Sequence, residues 1–128
     1  MKKLKCILLV DDDEITNFYN QHLIRKMDIA ETVETCLNGK DAIQFLTQSG
    51  GDSFPTPDMV LLDINMPIMD GYEVIKAIKN NKESYPLTRI IVISATSYQN
   101  FIKKEDPCHI SGYIQKPINK AKLLELLT

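Results

Sequence analysis

Apolar residues fall along the chain in two alternating textures. Lys5–Val10 (KCILLV), Met59–Leu62 (MVLL) and Ile90–Ile93 (IIVI) are short, nearly continuous apolar runs. Strands of a parallel sheet that is covered on both faces read this way. Thr32–Leu37 (TVETCL) and Gly112–Gln115 (GYIQ) are weaker strand candidates. Between these runs the spacing turns helical. Ile15, Phe18, Tyr19, His22 and Leu23 stand at i, i+3, i+4, i+7 and i+8, which predicts a buried stripe with His22 packed in it. Asn38 can cap a helix through Ala42, Ile43, Phe45 and Leu46 that stops at Gly50-Gly51. Val74, Ile75 and Ile78 share one side of a third helix, and Asn119 can cap a last one carrying Leu123, Leu124, Leu126 and Leu127. Ser97 to Lys104 predicts only a short, weakly amphipathic helix, stopped by Pro107. Strand and helix alternate throughout, so the expected architecture is three-layer α/β/α, with a five-stranded parallel sheet and right-handed crossovers.

Composition narrows the function classes. The 128 residues are 44% hydrophobic and carry a net charge of −2, enough apolar content for one core and too little positive charge for a broad nucleic-acid or anionic-membrane surface. The lysine-rich start, Met1 to Val10, has an apolar run of only Cys6 to Val10 before four acids, unlike a secretory signal. No run approaches the roughly 18 apolar residues of a membrane span. Cys6, Cys36 and Cys108 read as reduced packing residues of a cytoplasmic protein.

A doubly wound parallel sheet binds its ligand beyond the carboxyl ends of its strands, so the residues there carry the chemistry. The first strand runs into Asp11, Asp12, Asp13 and Glu14, and the third into Asp63. The fourth runs into Ser94, Ala95 and Thr96, and the fifth into Lys116 and Pro117. Asp13 and Glu14 fit the start of a helix, where carboxylates are favourable. Capping does not account for Asp63 at another strand end. Carboxylates about 4 Å apart repel by a few kcal/mol at an effective dielectric of roughly 20, and an oxygen-only site with few protein ligands suits Mg²⁺ (or Mn²⁺). Lys116 beside that rim can neutralise a transferred phosphoryl group, and Ser94 can donate to its oxygens.

The segments ILLVDDD, LLDINMPIMDGYE, IIVISA and GYIQKPI, in this order, resemble the receiver domain of two-component response regulators across nearly the whole chain. The resemblance implies the (βα)5 flavodoxin-like receiver fold, one receiver domain over residues 1–128 and no output domain after the last helix. It implies that Asp63 accepts a phosphoryl group from the phosphohistidine of a sensor histidine kinase or histidine phosphotransfer protein. Mg²⁺ would be held by Asp12 directly, by Asp11 through water, by an Asp63 oxygen and by the backbone carbonyl of Asn65. Lys116 and the backbone amides of Asn65 and Ala95 would bind the phosphoryl oxygens. Ser94 and Tyr113 match the switch positions, the ring turning in from the surface as the hydroxyl moves. A downstream protein would read the face of the fourth helix, fifth strand and fifth helix. Pro117 implies a cis Lys–Pro bond, and Gly71 fits the tight start of the third helix. Such a domain is a signalling module that assists its own phosphorylation and dephosphorylation rather than a conventional enzyme. Two departures are the long Gly50–Pro57 loop and the Ser97–Ile110 stretch with Pro107-Cys108.

Two other chemistries use similar parts. A dehalogenase-type phosphatase also has a strand-end Asp and Mg²⁺ but needs a second Asp two positions on, where this chain has Asn65. A flavodoxin-like electron carrier needs a phosphate-binding loop after the first strand, where Asp11 to Glu14 would repel the phosphate.

Overall fold

The computed structural model describes residues 3–49, 55–64, 66, 70–80, 88–103 and 110–127. The five strands are β1 (Leu4–Val10), β2 (Ala30–Cys36), β3 (Met59–Asp63), β4 (Arg89–Ser94) and β5 (Gly112–Gln115). They alternate with the helices α1 (Glu14–Met27), α2 (Gly39–Gln48), α3 (Gly71–Asn80), α4 (Tyr98–Phe101) and α5 (Lys120–Leu127). All strand pairs are parallel, in the order β2-β1-β3-β4-β5. Winding therefore reverses between β1 and β3, and this switch point opens a crevice at their carboxyl ends.

Alternation along the central strands divides the core into two. Leu8, Val10, Val60, Leu62, Ile90 and Val92 face α2, α3 and α4, where Ala42, Leu46, Val74, Ile75, Ile78 and Phe101 close the layer. Ile7, Leu9, Met59, Leu61, Ile91 and Ile93 face α1 and α5 and pack with Ile24 and Leu123. Each fully buried Ile or Leu contributes roughly 1.5–3 kcal/mol relative to exposure, so both layers are strong. Among the described residues, no helix is long and apolar enough to cross a membrane. Cys6 and Cys36 are buried free thiols, and Cys108 lies outside the described residues.

Capping follows the expected residues. Asp13 precedes α1 and accepts from the Ile15 N–H at 2.9 Å and the Thr16 hydroxyl at 3.0 Å. Asn38 accepts from the Asp41 N–H at 2.8 Å, and Asn119 from the Lys122 N–H at 2.9 Å. Helix α2 ends at Gln48 with Ser49 as its C-cap; Gly50 and Gly51 lie outside the described residues, as does most of the Gly50–Pro57 loop. Helix α4 is a single turn capped by Ser97, and Lys104 to His109 lie outside.

One expectation is overturned. Of the stripe Ile15, Phe18, Tyr19, His22 and Leu23, only Leu23 packs on the core: the first three are 78%, 72% and 63% exposed, and His22 is also exposed. Helix α1 instead buries Asn17, Asn20 and Ile24. The reason lies in the surface beneath the helix. The carbonyls at the ends of β1 and β2 need hydrogen-bond donors, and an asparagine amide supplies them where a phenylalanine cannot.

Candidate functional site

Adjacent parallel strands in register bring Asp11 and Asp63 side by side. Val10 pairs with Leu62 across β1 and β3, so the next residue of each chain emerges at the same level of the rim. Asp11, Asp12 and Asp63 each place a carboxylate oxygen within 4.8 Å of the others. Asp11 and Asp63 are buried, and Asp12 is exposed to solvent. Lys116 reaches over from the end of β5. Its ammonium Nζ lies 3.5 Å from Asp11 Oδ2 and 3.6 Å from Asp63 Oδ2. Among the described residues this ammonium pairs with two of the three clustered carboxylates, which leaves an excess of negative charge. The donors are hard carboxylate oxygens, one of them on the solvent-exposed Asp12, a set that fits Mg²⁺.

The surrounding backbone is built to hold this rim. Asp11 Oδ1 accepts from the Asp13 N–H at 3.0 Å, and the Asp11 N–H donates to the Cys36 carbonyl at 3.2 Å. The same capping bonds that start α1, above all the Thr16 hydroxyl, pull the exposed Asp13 carboxyl below its usual range. Asp13 therefore stays a helix cap outside the cluster. Gly71 shows why no side chain is tolerated at the start of α3. A Cβ there would stand 2.6 Å from Ile64 Cα and 2.9 Å from the Asp63 carbonyl oxygen. The helix therefore sits directly against the end of β3. The Lys116–Pro117 bond is cis, and the Lys116 N–H donates to the Ser94 carbonyl at 2.7 Å. Lys122 donates from Nζ to the Gln115 and Pro117 carbonyls, at 2.8 and 3.0 Å, on either side of Lys116.

Ser94 is fully buried at the end of β4, one residue beyond the Asp63–Ile93 pair, and its Oγ accepts from the Thr96 N–H at 3.0 Å. Ala95 follows it and is exposed. The Tyr113 hydroxyl donates to the Thr96 carbonyl. Its ring lies 5.2 Å from Phe101 and 5.4 Å from Tyr98, and Phe101 in turn stacks on Tyr72 of α3 at 5.8 Å. Burial pushes the Tyr113 hydroxyl above its usual value, with Ser94 partly opposing. Tyr113 is thus half-buried against α4 rather than at the surface from which the expected switch starts. Asn65 lies outside the described residues.

A sequence model of the response regulator receiver domain matches residues 7–128. This chain belongs to the response regulator receiver family. The receiver is 30% identical to the chemotaxis protein CheY of Halobacterium salinarum, over 97% of this chain and 94% of that protein. It is 34% identical to hybrid signal transduction histidine kinase L of Dictyostelium discoideum, over 98% of this chain but only 7% of that much longer protein. Its fold matches the receiver domain of the histidine kinase CKI1 from Arabidopsis thaliana complexed with Mg²⁺, with a TM-score of 0.81 and 26% identity, covering 99% of this chain and 94% of that one. Phosphorylation on aspartate is general in this family, which makes the receiver a signalling domain of two-component systems.

Sequence reasoning located Asp11, Asp12, Asp63, Ser94, Lys116 and Tyr113, and the structure brings the first three together with Lys116. It missed Asn17 and the outward apolar face of α1. A signal for the buried face was present: Asn17, Asn20, Gln21 and Ile24 also stand at i, i+3, i+4 and i+7.

Proposed function

We propose that this receiver accepts a phosphoryl group on Asp63 from a phosphohistidine of a sensor histidine kinase or histidine phosphotransfer protein. One observation carries the reading: the Lys116 ammonium stands 3.5 and 3.6 Å from the buried Asp11 and Asp63 carboxylates at the β1/β3 switch point. An Asp63 oxygen attacks phosphorus, the N–P bond of the phosphohistidine breaks, and its electron pair stays on the imidazole, which is then protonated. The product is an acyl phosphate on Asp63. Asp12 and Asp63 directly, and Asp11 through water, would hold Mg²⁺, which when bound would supply charge neutralisation for the phosphoryl oxygens. Lys116 exchanges its Asp63 contact for a phosphoryl oxygen, and the Ala95 amide donates to another. Ser94 loses its bond to Thr96 and turns toward the dianion, because a charge-assisted hydrogen bond is the stronger one. That shift disturbs the Thr96 segment to which Tyr113 is tied. It thereby reaches the face of α4, β5 and α5, where a downstream protein reads it. The same residues position the water that later hydrolyses the acyl phosphate.

The donor docks on α1. Ile15, Phe18 and Tyr19 form an exposed apolar face beside the acid rim, and a cavity of about 350 Å³ lined by Ile15, Tyr19, Ile93, Pro117 and Ile118 opens next to Lys116. An exposed apolar face continuous with a reactive rim suits a protein partner in the cytoplasm. Incubation with acetyl phosphate and Mg²⁺ should add one phosphoryl group by intact mass, and Asp63→Asn should stay unmodified. Equal labelling of Asp63→Asn would overturn the assignment.

A further inference from the structure

Asn17 is 4% exposed, on the inner side of α1, where an apolar residue would ordinarily pack. Its Nδ2 donates to the Asp11 carbonyl at 2.9 Å and to the Cys36 carbonyl at 3.1 Å. Both amide hydrogens are therefore committed, and the amide cannot be turned over without aiming its oxygen at two other oxygens. Its Oδ1 is buried with no hydrogen-bond partner among the described residues. An unpaired buried acceptor is a cost to the folded state that a leucine would not carry. Something other than burial must account for an asparagine here.

The bonded carbonyl gives that account. The Asp11 carbonyl belongs to the peptide group joining Asp11 to Asp12, and a peptide group is planar. Holding its oxygen restrains that plane, and with it the Cα positions from which both side chains leave the chain. The Asp11 N–H is already held by the Cys36 carbonyl, so Asn17 closes the second end of the same residue. We propose that Asn17 is a positioning residue of the receiver, an amide clasp that sets Asp11 and Asp12 for a divalent cation. The proposal rests on the reading of Asp11, Asp12 and Asp63 as a Mg²⁺ site. The molecule contains its own control. One turn further along α1, Gln21 Nε2 donates to the Val33 carbonyl at 3.0 Å, the same chemistry to the same strand, remote from the rim.

The test uses the full chain and Mg²⁺ itself, titrated by calorimetry, with unfolding midpoints measured in chelator. Asn17→Leu should weaken Mg²⁺ binding by about tenfold or more, as removal of groups that orient metal ligands commonly does. Gln21→Leu should change it by no more than about twofold on the same reasoning. Without metal, the Asp12 amide NMR resonance, which belongs to the clasped peptide group, should move in Asn17→Leu and stay in Gln21→Leu. If Asn17→Leu does not fold, Asn17→Ser, too short to reach both carbonyls, takes its place against the same control. Wild-type Mg²⁺ affinity in the Asn17 variant, or equal losses in the two variants, overturns the clasp and leaves the site reading standing. A wild-type chain that takes no Mg²⁺ overturns both.

Discussion

Helices α1 and α3 carry equally clear helical spacing and use it in opposite ways. In α3 the apolar stripe is the inner one: Val74, Ile75 and Ile78 are 0%, 0% and 4% exposed. In α1 the apolar stripe looks outward, and asparagines line the upper part of the inner one. The difference lies in the surface beneath each helix. Helix α3 rests on side chains of β1 and β3, Leu8, Val60 and Leu62, which accept only apolar partners. The first turns of α1 rest on the backbone ends of β1 and β2, where the Asp11 and Cys36 carbonyls accept from the Asn17 amide. Lower down, at Ile24 with Leu23 and Met27 beside it, α1 meets apolar side chains. Periodicity finds the two faces of a helix, and the neighbouring surface decides which of them is buried.

The largest effect that tests this contrast is on stability. Ile75→Ala should cost about 2–5 kcal/mol, since a fully buried branched side chain leaves a cavity that the surroundings fill only in part. Phe18→Ala, although it deletes a larger group, should stay within about 0.5 kcal/mol because the ring is already in water. Urea unfolding midpoints decide between them. A Phe18→Ala loss equal to that of Ile75→Ala would place the α1 stripe inside after all.

The next effect is on transfer and leaves stability alone. If the outward face of α1 receives the donor, Phe18→Ser with Tyr19→Ser should slow phosphorylation by a histidine phosphotransfer protein roughly tenfold, the equivalent of about 1.4 kcal/mol of lost docking. The rate with acetyl phosphate should not change, because a small donor makes no use of the face. Equal slowing with both donors would mean that the two residues serve the acid rim itself.

Much of this was legible because β-strand ends are marked twice in the sequence, by the end of an apolar run and by an abrupt polar residue. Asp11, Asp63, Ser94 and Lys116 each follow such a run, and parallel topology then forces them onto one rim. Capping residues were legible for the same reason: Asp13, Asn38 and Asn119 act on their own next turn. The phase of α1 was not legible, because it depends on carbonyls brought close by the pairing of β1 with β2, the latter more than ten residues further along the chain. The place of Tyr113 was hidden in the same way. Its ring is held by Phe101 and the Thr96 carbonyl, contacts made across the β4–β5 edge.

The smallest expected effect probes the point where the two environments meet. Cys36 ends β2 with its carbonyl turned to the Asn17 amide and its side chain buried in the core beneath α2 and α3. Burial, reinforced by the Asp41 and Glu34 carboxylates, pushes its thiol up to about 11 from an ordinary value of 9.0. The folded chain therefore holds this proton more tightly than the unfolded chain does. Below pH 9 both states keep it and stability does not respond. Between pH 9 and about 11 the unfolded state releases it first, so stability falls as pH rises through that window. The buried Cys6 thiol, also raised, adds a slope of the same sign. Cys36→Ala should flatten the decline in unfolding midpoint between pH 9 and about pH 11 without abolishing it, whereas Asn17→Leu, which touches only the carbonyl side, should leave the slope intact. An unchanged slope in Cys36→Ala would show that the thiol is wet, and that the apolar layer under α2 and α3 stops short of the end of β2.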